Sequence, residues 1–271
     1  QLSIQPGKPI FLSCGFYRPH VPFFPPRDVY DSLKDVQLPH IDENDWSDIP
    51  DAARDVSMSN SKIPTHEWMR EKGRWKEAVQ CYLACVRWTD EQIGRVLDAL
   101  DHGPHAKNTI IVLFSDHGYH LGEKQRWSKF SLWERTTHVP LIISVPNGIK
   151  GKTNKPVELL SLYPTLIDLC GLPENSKLEG ISLQPLLEDP KADWKHAAIS
   201  TLGQNNHAVR DERWRYIRYA DGSEELYDHQ NDPNEWHNLA VRALSPEATS
   251  VIERLRLKLP KTNLPQRRST N

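Results

Sequence analysis

No stretch of this 271-residue chain approaches the about 20 consecutive apolar residues that a membrane-spanning helix needs. The purest apolar runs, residues 109–114 and 139–145, are far shorter. No basic-then-apolar leader opens the chain, so no signal peptide is expected in it as given. Neither sign of charge dominates: Lys plus Arg is 34, Asp plus Glu is 36, and the formal net charge is -2. Contacts to a phosphate backbone need a basic excess, so the balance speaks against a nucleic-acid binder. Cysteine is sparse, with Cys14, Cys81, Cys85 and Cys170 and no Cys-x-x-Cys pair, which removes the usual spacing of a structural zinc site. Gly-x-Gly-x-x-Gly, Gly-x-x-x-x-Gly-Lys and Gly-x-Ser-x-Gly are all missing, and with them the standard dinucleotide cradle, nucleotide cradle and serine-esterase elbow. Only 13 glycines stand against 21 prolines and 9 tryptophans. That balance predicts ordered, proline-shaped loops on a scaffold, a common setting for functional residues.

A chain of this length would bury about three-quarters of its unfolded surface, enough to fold without disulfide staples. Residues 9–16 read as a short buried strand. The proline-dense loop 17–26 follows, and it cannot be a regular helix. Residues 34–64 read as a polar, irregular and solvated stretch with acids at Asp42, Glu43, Asp45, Asp48 and Asp51. Trp75, Val79, Leu83, Val86, Ile93, Leu97 and Leu100 form one apolar stripe, which predicts a long helix over about 66–101, ended by Gly103-Pro104. Residues 109–114 and 139–145 read as buried strands. Between them runs a polar loop, and a helix at about 157–170 is capped by Gly171. Strand, helix, strand, helix in that order predicts an α/β fold whose mixed or parallel sheet is flanked by helices. After Pro173 short strands follow at 197–202, 208–210, 214–219 and 225–228, with a tight turn at Asp221-Gly222. Ser245 and Pro246 open a last helix, and residues 260–271 read as a frayed tail. The expected division is therefore 1–173, a larger α/β domain, and 174–271, a smaller antiparallel α+β subdomain.

The sharpest local feature is Phe114-Ser-Asp-His-Gly118, which sets an acid and an imidazole where a buried strand ends. Ligands of open α/β sheets bind at such carboxyl ends. The Asp116 carboxylate suits a hard divalent cation, and a neutral His117 ring adds a further ligand. One carboxylate is too few for calcium, and Asp-His-Gly read alone is also compatible with an ordinary turn. Around it lie His120, Lys124, Arg126 and Lys129, with Arg18 and His20 in the early loop. If these cations converged on a bound metal they would form an anion pocket, and a Lys or His there could protonate a leaving oxygen; singly, each reads as a surface charge. His138 reads as a structural histidine. Trp194, Trp214 and Trp236 could line a carbohydrate subsite, but core packing is the ordinary role of Trp in a small sheet.

Together the segments 15–23, 114–123, 127–129, 137–143, 159–172 and 226–239 resemble the type I sulfatases, an alkaline-phosphatase-like group, and most closely the iduronate 2-sulfatase-like members. The resemblance runs collinearly over nearly the whole chain. It implies a sulfuric ester hydrolase that removes sulfate from a sulfated saccharide, with phosphoester or phosphonate hydrolysis or a catalytically dead glycan-binding relative as alternatives. Carried over by position, it makes Asp116 and His117 ligands of one divalent metal, usually Ca2+, and makes Lys129 and His20 the residues that contact the sulfate and assist the leaving oxygen. The family's nucleophile is a formylglycine made within Cys-x-Pro-x-Arg or Ser-x-Pro-x-Arg. No cysteine or serine here fits that motif, and the family's paired aspartates are also missing. The resemblance is therefore to a C-terminal portion, with the nucleophile expected upstream or on a companion chain. It further implies a secreted, periplasmic or lysosomal setting, and poor folding of the chain alone.

Overall fold

The computed structural model describes residues 8–59, 63–241 and 244–264. Its elements in chain order begin with helices α1 (Arg27–Asp31), α2 (Asp51–Met58), α3 (His66–Glu71) and α4 (Trp75–Asp101). Then come strands β1 (Ile111–Phe114), β2 (His120–Leu121) and β3 (Trp127–Ser128), with a 3-10 turn at Glu123–Gln125 between the last two. Helix α5 (Glu134–Thr137), strand β4 (Leu141–Ser144), helix α6 (Leu162–Leu169) and helix α7 (Gln184–Glu188) follow. The chain ends with β5 (Ala198–Thr201), β6 (His207–Arg210), β7 (Trp214–Arg218), β8 (Glu224–Asp228) and helix α8 (Pro246–Arg256).

Two compact units result, interleaved along the sequence. One holds Gln1–His40, Pro64–Val112 and Ser144–Pro146; the other holds Ile41–Ile63, Leu113–Ile143 and Asn147–Asn271. The unit boundaries fall inside β1 and β4, which pair with one another. Residues 41–63 and 113–143 thus share a unit with the antiparallel sheet of residues 198–228.

In the first unit, the long helix expected over 66–101 is two. Gly73 has φ +60°, a left-handed backbone that ends α3 before Trp75 opens α4. Thr65 caps α3 by accepting the Trp68 N–H. Val79, Ala84, Cys85 and Leu100 of α4 are buried, whereas Leu83, Val86 and Leu97 of the predicted stripe are exposed. The expected strand at 9–16 does not form. That segment joins no sheet, and Phe11 is 86% exposed. An extended apolar segment becomes a strand only when a neighbour takes its backbone hydrogen bonds.

In the second unit β5, β6, β7 and β8 form one antiparallel meander in sequence order. Ala198 pairs with Arg210 and Trp214 with Asp228. Side chains alternate across the sheet. Val209, Trp214, Tyr216 and Leu226 pack on Ala248, Val251, Ile252 and Leu255 of α8. Ala208, Ile217, Tyr219 and Tyr227 face the other way, onto Ile49, Ala53, Leu132 and Trp133. Both faces are covered, which is why these strands carry so few exposed polar positions. The turn at Gly222 (φ +90°) and the Ser245 cap, whose Oγ accepts the Ala248 N–H, are as the sequence predicts.

Residues 34–64 are less irregular than expected. They contain α2, and Asp45 is buried rather than solvated. The covered face of the sheet gives that segment an apolar surface to fold on. Gly171 (φ +61°) closes α6 as predicted, with its N–H on the Asp168 carbonyl. Of the expected tail, residues 265–271 lie outside the described residues.

Candidate active site

Strand β1 delivers Asp116-His117-Gly118 into a tightly pinned turn. The Ser115 N–H donates to the Pro140 carbonyl at 3.3 Å, and the Gly118 N–H donates to the Thr136 carbonyl at 2.9 Å. A Cβ on Gly118 would lie 2.1 Å from the Arg135 carbonyl oxygen, so only glycine admits this approach. The turn presents two donor atoms outward. Asp116 has a side chain 81% exposed, and its Oδ2 lies 3.6 Å from His117 Nε2. His117 Nδ1 faces the Gly118 carbonyl at 2.9 Å. A carbonyl only accepts, so Nδ1 carries a hydrogen, which leaves Nε2 as the nitrogen able to act as a ligand.

That donor set fits a divalent ion. Two ligand atoms 3.6 Å apart can share one cation at about 2.3–2.6 Å from each oxygen ligand. The Nδ1 hydrogen bond to a carbonyl is the outer support that metal-bound histidines ordinarily have. Two protein ligands are too few for calcium, which takes about six to eight. The remaining ligands must come from elsewhere.

Strands β2 and β3 pair with His120 opposite Ser128 and Leu121 opposite Trp127. Carried one residue further, this register sets Lys129 opposite Tyr119, two positions beyond His117. Lys129 is half-buried, and among the described residues its side chain makes no hydrogen bond or ion pair. An ammonium placed so is available to an anion.

His20 lies in the first unit, on the proline-rich loop. The Thr89 hydroxyl donates to the Arg18 carbonyl at 3.2 Å, and Phe23 meets the Tyr82 ring edge-on, so α4 holds this loop. His20 Nδ1 lies 2.7 Å from the Val21 carbonyl, which again leaves Nε2 as the outward nitrogen. The same loop lines an open cleft of about 570 Å³ with Phe16, Tyr17, Arg18, Phe24 and Trp88.

The other basic residues do not gather into an anion pocket. His120, Lys124 and Arg126 are buried. Burial pushes the His120 pKa down to about 3, and the ring is held neutral with Nε2 on the Ser131 hydroxyl. Lys124 pairs with Asp45 at 2.6 Å. Trp194 and Trp214 are core residues, so they line no sugar subsite.

A second acidic cluster was not legible beforehand. Glu134, His229 and Glu235 bring ligand-type atoms within 4.8 Å of one another. Yet Arg215 already pairs with Glu134, and its Nε lies 2.6 Å from Glu235. Burial pushes the Glu235 carboxyl up, but Arg215 and His229 outweigh it and hold it below the ordinary range. A guanidinium thus occupies the place a cation would take. This cluster is structural. Only its position within residues 226–239 singled out Glu235 in the sequence.

A family model described as "Sulfatase" matches residues 1–172. The chain belongs to the sulfatase family. A second model, "N-sulphoglucosamine sulphohydrolase, C-terminal", matches residues 122–264 of this sulfatase chain. A "Sulfatase" of Formosa agariphila is 46% identical over 94% of the chain and 50% of its own length. A "Delta 4,5-hexuronate-2-O-sulfatase" of Bacteroides thetaiotaomicron is 32% identical over 84% of the chain and 50% of its own length. The "Iduronate 2-sulfatase" of Mus musculus is 35% identical over 62% of the chain and 37% of its own length. Among solved structures, a phosphonate monoester hydrolase from Silicibacter pomeroyi superposes with a TM-score of 0.75 at 23% identity, over 89% of this chain and 53% of that one, a likeness of fold. The sulfatase chain spans about half the length of the curated relatives it matches.

Proposed function

We propose that this chain supplies part of the catalytic site of a sulfuric ester hydrolase acting on a sulfated carbohydrate, with 2-O-sulfated uronic acid residues as the substrate class. One observation carries the reading. The outward Asp116–His117 donor pair lies just before the β2–β3 hairpin and Lys129 follows directly after it, an ammonium without a partner among the described residues. The 2-O-sulfated uronate is supported by the names of two relatives, the hexuronate 2-O-sulfatase and the iduronate 2-sulfatase. The cleft lined by the same proline-rich loop, with aromatic faces and Arg18, suits an anionic sugar ring.

In this reading Asp116 Oδ2 and His117 Nε2 hold one divalent ion, with calcium as the ion of choice for the exposed carboxylate. When bound, that ion offsets charge on the sulfuryl oxygens and favours the ionised nucleophile. The nucleophile is a formylglycine contributed from outside these residues, because Cys14, Cys81, Cys85 and Cys170 all lack its motif. Lys129 donates hydrogen bonds to a sulfate oxygen and neutralises part of its charge. His20 acts at Nε2: its Nδ1 hydrogen is committed to Val21, so a proton on Nε2 is the one delivered to the leaving sugar oxygen. We assign the enzyme to a secreted, periplasmic or lysosomal compartment, and we keep residues 174–271 as a subdomain that supports the site.

A second reading is a phosphonate monoester hydrolase, favoured by the structural likeness noted above. The two separate in one experiment on the native full-length polypeptide. Sulfate release from a 2-O-sulfated uronyl disaccharide is compared with hydrolysis of a phenyl phosphonate monoester. Faster sulfate release, falling at least about 10²-fold in Lys129→Ala and Asp116→Asn, supports the proposal. Preferred phosphonate turnover, or binding of the disaccharide without turnover, refutes it.

A further inference from the structure

The backbone that leads into Lys129 is strained. Gly122 (φ 127°), Lys124 (φ 53°), Gln125 (φ 50°) and Ser128 (φ 111°) all occupy the left-handed side, and three of the four are not glycine. Such residues persist only where their surroundings over-determine them, and they concentrate at functional sites. Here the surroundings can be named. The Lys124 side chain is 2% exposed, and its Nζ lies 2.6 Å from Asp45 Oδ1. The same ammonium donates to the Glu235 carbonyl and sits 4.9 Å from the Tyr227 ring centre and 5.4 Å from that of Trp133. The Lys124 carbonyl accepts the Trp46 indole N–H. Glu235 is itself left-handed (φ 60°) and buried, and its carboxylate accepts the Glu134 N–H at 2.8 Å. Two strained segments are therefore locked together through one buried ammonium. The first of them runs straight into Lys129, whose own ammonium has no partner among the described residues.

We propose that Lys124 is a positioning residue: locked between Asp45 and the Glu235 carbonyl, it holds the left-handed Gly122–Ser128 segment so that Lys129 stands in register on the β2–β3 hairpin to receive the sulfate. This rests on the reading of Lys129 as a sulfate contact. It also gives the segment around Glu235 a task, since the C-terminal subdomain then braces the catalytic hairpin from below.

The test uses the native full-length polypeptide and the 2-O-sulfated uronyl disaccharide. Lys124→Met alone strands a buried Asp45 carboxylate, so the informative variant is the pair Lys124→Met/Asp45→Leu, which replaces the buried ion pair by apolar groups and tends to preserve folding. A displacement of about 1 Å at a catalytic group can cost about 10²-fold in rate. The expected result is a kcat lower by about 10²-fold with KM within about threefold of the parent. In a Lys129→Arg background the same pair should change kcat by less than about threefold, because the group to be positioned is already compromised. Lys124→Arg, which keeps the charge, should recover part of the rate. Equal losses in both backgrounds, a loss confined to KM, or no loss at all overturns the proposal. Lys129→Arg with parental kcat overturns the underlying reading instead, and the two failures are thus distinguishable. If the Met/Leu pair does not fold, Asp45→Asn enters the same cycle with the same criteria.

Discussion

Gly118→Ala is the sharpest single perturbation of the site, because its magnitude follows from the packing around Gly118. The new Cβ would meet the Arg135 carbonyl oxygen at 2.1 Å, the carbonyl carbon at 3.0 Å and Thr136 Cα at 3.2 Å. All three are backbone atoms, so no side chain can swing aside. Relief requires a shift of about 1 Å in either the 116–118 turn or the 135–136 segment, given that unstrained carbon contacts lie near 3.5 Å. Overpacking of this kind costs about 1–3 kcal/mol. The Gly118 N–H to Thr136 bond stretches as well, for about another 1 kcal/mol. A total near 3 kcal/mol corresponds to a fall of about 6–12 °C in Tm for a unit of this size. The shift also moves Asp116 and His117, so kcat should drop by about 10²-fold even at temperatures where the variant is folded. Gly94→Ala is the internal control. Gly94 lies within α4 with nothing inside 4 Å of its added Cβ, so the same substitution there should stabilise by up to about 1 kcal/mol. Differential scanning calorimetry and sulfate release on both variants decide the matter. Parental Tm and activity in Gly118→Ala, or equal destabilisation by both, would show that the pinned turn is not what fixes the site.

The remaining predictions address charge, metal and surface. His120 stays neutral when buried, with its pKa pushed from 6.5 down to about 3, so its contribution is complete above pH 6.5 and is lost as pH falls toward 3. Between pH 7 and pH 5 the parent should therefore lose about 2 kcal/mol relative to His120→Gln in urea unfolding. Asp45 works in the opposite sense, since burial raises its pKa from 3.8 to about 6 and the fold loses stability as pH rises through that window; because both proteins carry it, the comparison cancels it. After chelation of divalent ions, calcium should restore sulfate release, and Asp116→Asn should raise the half-restoring concentration by about 10–100-fold; restoration at the parental concentration would remove Asp116 from the ligand set. Phe11, Phe114 and Ile142 are exposed, so residues 1–271 expressed alone should bind an apolar-surface dye, and a polypeptide that also carries the proposed nucleophile segment should bind less of it.

How much of this was readable in the sequence depended on whether a residue's partners were local. The short antiparallel strands after Pro173 were, because the Asp221-Gly222 turn, like the Ser245 cap of α8, is settled within a few neighbouring residues. The position of Asp116 and His117 at the end of a short apolar strand was also readable, whereas their expected role as ligands came only from the family resemblance. Gly73 was present in the sequence too, but the apolar stripe begins only at Trp75, and nothing in the residue type alone shows that Gly73 takes the left-handed φ that separates α3 from α4. Asp45 and Lys124 were misread as solvated charges for a different reason. Their ion pair spans 79 residues, and no local pattern distinguishes a lysine that reaches water from one that reaches a buried carboxylate. The same limit hid Glu134, Arg215 and Glu235, each unremarkable in its own segment. Charge type alone could not sort Lys124 from Lys129 either, although they lie on one short loop. What sorts them is what each ammonium meets. Lys124 is consumed by Asp45 and a carbonyl, while Lys129 has no partner among the described residues. In the proposed reading the cation that the fold has already neutralised braces, and Lys129, without a partner among the described residues, takes the anionic ester. If the brace is real, the loss from removing Lys124 must vanish once Lys129 is gone.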